Sequence, residues 1–529
     1  MAKFIFVTGG VVSGLGKGVT AASLARLLKA RGYRVTLQKF DPYFNVDTSN
    51  LSPYQHGEVF VTEDGGEVDL VVGHYERLLD ENLGIKNDVT SGQIYSAVIE
   101  KERKGLYNGS TVQVVPHITD AIKERIYSLD TPDSDIIITE IGGVVGDIEC
   151  HPFLEAIRQF RGEAGKGNVL YIHVTLVPYI ESSAEQKTKP TQHSVKELQN
   201  VGIQPDVIVC RSDYPLGADS KRKLGLFCNV ETDCIIQNLT TENIFAVALA
   251  LEKDGLARVA LRKLRLADTE PALSDLEAFC NHAEAVHARG DKLRIGLVGK
   301  YVDSHSAYVS LVEALDHSGV HLDTGVEIVW ISSEKVNAAC AHRLQGLDGI
   351  VLPAGFGERG FEGKVNTAKL AREKGIPTLM IGMGAQAGLV EFCRNVCGME
   401  KANSTEFDRK TQYPVVYSTT VPPKFRCGAF TTVLKEGSRL TEIYGKTEIS
   451  ERHRHKYEFN PAFQKQLEKE GLVFSGKAQS GKMYEAYELP SHPFYIGVMF
   501  RPEFTSRPLH PHPLVTAFVE ACKTRAATK

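Results

Sequence analysis

Residues able to grip a phosphate chain stand close to the start. Gly9-Gly-Val-Val-Ser-Gly-Leu-Gly-Lys-Gly18 lies between a strand-like run, Phe4–Thr8, and a helical run, Gly18–Ala30. Glycines there let backbone N–H groups approach phosphate oxygens, Lys17 adds a point charge, and the helix N-terminus adds its dipole. The spacing is not the strict Walker pattern, because Gly18 stands where that pattern has a magnesium-touching Ser or Thr. Three further clusters carry chemistry. Lys39-Phe-Asp-Pro-Tyr-Phe-Asn-Val-Asp47 sets a lysine and carboxylates at a strand end. Glu140-Ile-Gly-Gly-Val-Val-Gly-Asp147-Ile-Glu149 puts acids beyond a buried strand, suited to magnesium or a ribose. Lys187-Thr-Lys189-Pro-Thr-Gln192-His193 concentrates cations and amides in a turn, suited to a triphosphate. Each alone could be a solvated loop; together they describe two polyanions meeting at one metal.

A second constellation sits in the other half. Ile376-Pro-Thr-Leu-Met-Ile-Gly-Met-Gly-Ala-Gln-Ala-Gly-Leu-Val-Glu391 reads as an apolar strand, a tight turn and a helix. That layout exposes a nucleophile on a strained turn near backbone N–H donors. Gly382 stands at the turn and has no side chain to attack with. Phe500-Arg-Pro-Glu-Phe504 carries Arg501, whose guanidinium stays protonated at any working pH and cannot take a proton. Cys393, about three helical turns past the elbow, is a poor substitute thiol.

The elements that must position these groups follow an alternating pattern. Strand-like runs at Arg34–Lys39, Asp135–Glu140, Val169–Val174 and Val207–Cys210 alternate with helical segments, which argues for parallel sheets covered by helices. Around Leu266–Gly290 the pattern weakens into a polar stretch, read as an interdomain connection, and Lys292–Gly299 opens a second α/β domain. At 529 residues the chain is too long for one core. A net charge of −4 gives no reason to expect a nucleic acid or an acidic membrane as partner. Ten cysteines lack metal-type or disulfide-framework spacing, and the N-terminus enters a strand without a signal segment, so a cytoplasmic setting is expected.

Taken in order, these blocks resemble the CTP synthase family over essentially the whole chain. Ser52–Thr62, Gly73–Arg77, Val112–Thr119, Lys187–Asp206, Arg211–Asp213, Asn403–Phe407 and Arg452–Tyr457 also carry the resemblance. It implies two doubly wound α/β domains: a P-loop-like amidoligase domain over residues 1–266 and a class I glutamine amidotransferase-like domain over 291–529, with 267–290 as linker. It also implies a homotetramer, with ATP and magnesium as cofactors and UTP as substrate. Ser13, Gly14, Leu15, Gly16, Lys17, Gly18 and Val19 would cradle ATP, with Arg211 near adenine. Glu140 and Asp69 would hold magnesium. Ser13, Gln113, Lys187, Lys189, Gln192 and Lys223 would grip UTP, with Asp147 and Glu149 on its ribose or base side. Lys39 would stabilise charge during phosphoryl transfer.

The chain departs from the family at several points. Gly382 and Arg501 replace the thiolate and its base, leaving Glu503 a cation to pair with. Ala354 in Pro353-Ala-Gly-Phe-Gly357 replaces a glycine, and the lid is shortened to a segment containing Lys424–Gly428. Val71 replaces a magnesium-binding aspartate, Asp47–Leu51 a Pro-Gly turn, and Ser183–Gln186 a glycine-containing approach to Lys187. The resulting expectation is a ligase acting on UTP or a related pyrimidine nucleotide with ammonia or another amine, without its own glutaminase. The alternative is a silent nucleotide-binding homologue that regulates or co-assembles with an active synthase.

Overall fold

The computed structural model describes residues 2–241, 243–337 and 342–528. The chain forms two compact units. One comprises residues up to Asn50 together with Val71–Asn281; the other comprises Leu51–Leu70 together with the chain from His282 onward.

The first unit is built on a seven-stranded sheet ordered Ile235–Leu239, Val207–Ser212, Val169–Leu176, Lys3–Gly9, Ile136–Ile141, Val35–Asp41, Asp88–Thr90. Every pairing in it is parallel. Its central strands are buried along nearly their whole length, as Phe-Ile-Phe-Val and Ile-Ile-Ile-Thr demand when helices cover both faces. Phe4, Phe6 and Phe160 meet edge to face on one side, and Phe40 stacks on Phe153 at 5.2 Å. With all strands parallel, the loops following Gly9, Asp41, Ile141, Leu176 and Ser212 gather at one edge.

The second unit holds a 12-stranded sheet. Five strands, Gly325–Ser332, Lys292–Gly299, Gly349–Leu352, Thr378–Ile381 and Tyr495–Val498, are parallel neighbours in that order. Antiparallel strands extend it, among them Arg426–Leu434 paired with Glu448–His455. No described helix is long and apolar enough to cross a membrane.

Two details differ from the pattern read in the sequence. The stretch 267–290 is not irregular: it carries a helix, Ser274–His287. Leu276, Cys280, Ala283 and Val286 are buried on one face, a helical spacing masked by the polar residues between them. And the first compact unit is not contiguous, because Leu51–Leu70 groups with the second. The hairpin Val59–Val61/Glu67–Asp69 packs within the C-terminal unit, where Arg452 donates to the Val61 carbonyl at 2.9 Å and Arg454 pairs with Glu67 at 2.7 Å. Phe60, fully buried, meets Phe504 edge to face at 4.9 Å, with the Arg452 guanidinium 5.5 Å from its ring.

Phe60→Ala is therefore expected to destabilise the C-terminal unit by about 3–5 kcal/mol, the cost of emptying a buried aromatic site. Urea unfolding followed through Trp330, the chain's single tryptophan, reads that unit directly.

Candidate active site

The glycine loop is a strand-to-helix junction. Strand Lys3–Gly9 delivers it, and helix Lys17–Lys29 begins after Gly16, which adopts φ 86°. Lys17 is 9% exposed and its stem lies along Gly9; a Cβ on Gly9 would stand 2.5 Å from Lys17 Cδ. The Lys17 ammonium donates to the Gly143 carbonyl at 2.5 Å, tying this loop to the one after Ile141. Beneath them His173 is hydrogen-bonded to Thr8 at 2.9 Å and Ser194 at 2.7 Å. Complete burial, with the Lys17 charge nearby, pushes His173 down to about 3, so its ring is neutral and structural. Ser13 and Gly14 are exposed, Leu15 is buried, and Gly18 and Val19 enter the helix. Arg211 Nη1 lies 3.3 Å from where a Gly16 Cβ would be, and its Nε donates to Thr240.

Glu140 sits opposite Lys39 on the neighbouring strand and is 5% exposed. Its Oε2 accepts a hydrogen bond from the Tyr75 hydroxyl; Oε1 has no partner among the described residues. A Cβ on Gly18 would come 2.6 Å from Val71 Cγ1 and 3.0 Å from Glu140 Oε2. The loop hydroxyl of a Walker pattern thus has no room here. A lone carboxylate with a free oxygen beside a phosphate loop fits magnesium, which keeps waters and phosphate oxygens as its other ligands. Asp69 ends the hairpin of the other unit and is not on this sheet. Lys39, nearly buried, pairs with Asp41 at 2.9 Å, and the Tyr43 hydroxyl donates to Asp41 at 3.0 Å.

Asp147 closes its own loop by accepting from the Val144 N–H at 3.0 Å, while Glu149 is exposed in the turn that follows. Lys187 follows a two-residue hairpin and pairs with Glu185, whose carboxyl it holds below the usual range. Ala184 occupies φ 48° where L-residues are strained. Lys189 is exposed, 5.9 Å from the Phe227 ring; Gln192 is buried and donates to Thr188 at 3.1 Å. Lys223 is exposed on helix Ala218–Cys228, and Gln113 is exposed with its N–H bonded to His117. Asp41, Tyr75 and His173 are the working neighbours that sequence reasoning passes over. Tyr75 and Asp41 lie inside quoted motifs, and only contacts reveal their targets.

In the second unit the elbow is present in full geometry. Gly382, between strand Thr378–Ile381 and helix Met383–Asn395, adopts φ 54°, ψ −112°. A Cβ there would meet Ala354 Cβ at 3.0 Å. Arg501 donates through Nε to Glu503 at 2.5 Å, its guanidinium 4.4 Å from the Phe504 ring. Cys393 is fully buried and burial pushes its thiol up, the opposite of activation. From the Lys424–Gly428 segment, Phe425 packs edge to face on Phe356 at 5.6 Å, with Lys456 4.3 Å from its ring.

Fold and site describe a two-unit α/β protein, with a parallel sheet of the synthase type that has a glycine loop at its edge and a second sheet of the amidotransferase type with an elbow turn. The comparisons agree. Residues 3–266 match the model of the CTP synthase N-terminus, and residues 304–521 that of class I glutamine amidotransferases. The chain is 53% identical to a CTP synthase of Ruminiclostridium cellulolyticum over 98% of both chains, and 51% identical to that of Methanocaldococcus jannaschii over 98% of both. It is 48% identical to that of Bacillus subtilis over 100% of both. The chain belongs to the CTP synthase family.

Gly382→Cys alone is expected to lower the melting temperature, since it adds a side chain at positive φ and a tight contact, together costing about 1–3 kcal/mol. Adding Ala354→Gly should recover part of that loss, a coupling that a double-mutant cycle of thermal unfolding measures.

Proposed function

We propose that this protein is an ATP-dependent carbon–nitrogen ligase that converts UTP, or a closely related pyrimidine nucleotide, to its 4-amino product with ammonia or another amine, and that it does not hydrolyse glutamine. The observation that carries the second half is Gly382 at the tip of an otherwise complete elbow, with Arg501 engaged to Glu503. A nucleophile and a proton acceptor are both missing from the one place where this fold aims them. The Glu140 oxygen left free, with Lys17 and Lys39 in place, favours an active ligase half over a silent homologue.

ATP with magnesium supplies the phosphoryl group that turns O4 of the pyrimidine into a leaving group. In this reading the loop N–H groups from Ser13 to Val19 and Lys17 orient the phosphates, Arg211 borders the adenine, and Glu140 holds the metal. Lys39, fixed by Asp41, lends positive charge where the transferred group becomes most anionic. Lys187, Lys189, Gln192 and Lys223, with Gln113, bind the pyrimidine triphosphate, while Asp147 and Glu149 read its ribose or base. The division of labour is residues 1–266 for ligation and 291–529 for the disarmed amidotransferase-like part. A homotetramer in the cytoplasm, free of nucleic acid and membrane, completes the proposal.

ADP release with UTP, ATP and magnesium is expected with ammonium or an amine and not with glutamine; CTP formed from glutamine would reject the reading. Lys17→Ala and Glu140→Ala should each abolish turnover, whereas Gly382→Ala should leave ligation nearly unchanged despite its stability cost. Val71→Asp places a second carboxylate beside Glu140 and should reduce the magnesium needed for half-maximal ADP release by about tenfold.

A further inference from the structure

The elbow that lacks a nucleophile is ringed by cations. Four neighbouring parallel strands end at the same edge: Lys300 follows Lys292–Gly299, Pro353–Gly357 follows Gly349–Leu352, Gly382 follows Thr378–Ile381, and Arg501 comes three residues after Tyr495–Val498. The Lys300 ammonium donates to the Phe356 carbonyl, and Lys364, 1% exposed, donates to the Pro353 carbonyl. Carbonyls answer a hydrogen bond but not a charge. Burial, with Lys300 and Arg501 near, pushes Lys364 well below the usual lysine range, and burial with Arg359 near lowers Lys300.

Arg501 uses only Nε on Glu503. Its two terminal amino groups have no hydrogen bond or ion pair among the described residues, and its side chain is 13% exposed. The helix Met383–Asn395 starts at Gly382 with no side-chain cap, so its first N–H groups are open to an acceptor. Gln386, one turn in and 4% exposed, has an amide oxygen without a partner. Of the acids that act on Lys300, Glu406 already accepts the Gly357 N–H at 2.9 Å, with burial pushing its carboxyl up, and Glu334 pairs with Arg359.

We propose that the strand-end edge around Gly382 is a binding site for a small carboxylate, held by the forked amino groups of Arg501 with Lys300 and the helix N-terminus. The chemistry prefers a carboxylate over the neutral amide of glutamine. A planar guanidinium matches two carboxylate oxygens with parallel hydrogen bonds, whereas an amide offers one acceptor and turns donors toward a cation. The absent side chain at Gly382 leaves the ligand intact, so it acts as a bound effector and not a reactant. This inference rests on the proposed loss of glutamine hydrolysis at the same site.

Calorimetric titration of the full-length protein with L-glutamate, L-glutamine and inorganic phosphate tests it. L-Glutamate is expected to bind at least about tenfold more tightly than L-glutamine or phosphate. The charge-neutral pair Arg501→Gln/Glu503→Gln should weaken glutamate by at least about tenfold, and Arg501→Lys, which keeps the charge without the fork, should weaken it too. Equal or tighter binding of glutamine or phosphate, glutamate binding undiminished in the double variant, or no binding of glutamate would overturn the proposal. If the double variant does not fold, the ligand order in the unaltered protein decides. Ammonia assayed in the glutamine titration separates the two readings: its release overturns the proposed function, whereas a wrong ligand order without release overturns only this inference.

Discussion

A parallel sheet buried on both faces has one edge where polar chemistry can be set down, and this protein depends on that constraint twice. Strands such as Phe4–Val7 and Ile136–Ile138 are fully buried, so no functional side chain can hang from their middles without leaving a polar group dry. Function is therefore pushed to the carboxyl ends. There Lys17 crosses Gly9 to reach the Gly143 carbonyl, and Lys39 faces Glu140 across one ladder step. The same geometry in the second unit gathers Lys300, Gly382 and Arg501. One edge carries the glycine loop with Lys17, Lys39 and Glu140; the other gathers cations around Gly382.

Two glycines each have a neighbour that fills the volume a side chain there would take. Gly18 would collide with Val71 if it carried a side chain, and Gly382 would press on Ala354. In both places small and large residues exchange occupancy of a single small volume, as close-packed interiors require. Arg501 likewise rests on an acid, Glu503, that neutralises its Nε side and leaves the other face unanswered.

Much of this was legible in the residues alone because strand-loop-helix junctions leave strong marks: apolar run, glycines, then a helical period. The loop at 9–18, the acid at 140 and the glycine at 382 were all readable that way. What escaped is what contacts decide. Tyr75 and Asp41 look like ordinary motif members until their oxygens are seen against Glu140 and Lys39. His173 looks like a lone histidine in an apolar strand, and it is a satisfied core group. The helix Ser274–His287 was hidden because its buried stripe is thin and interrupted by charges. The grouping of Leu51–Leu70 with the second unit was invisible because sequence order suggests the first.

That last feature sets how the polypeptide can be divided. A fragment cut at residue 290 would lose the strand pair that supplies Phe60, Glu67 and the Val61 carbonyl. Its Arg452, 1% exposed in the whole chain, would be left without that acceptor in an opened apolar trough. Expressing the rear portion by itself would leave the Phe504 ring and the Arg452 guanidinium uncovered where the strand pair now packs.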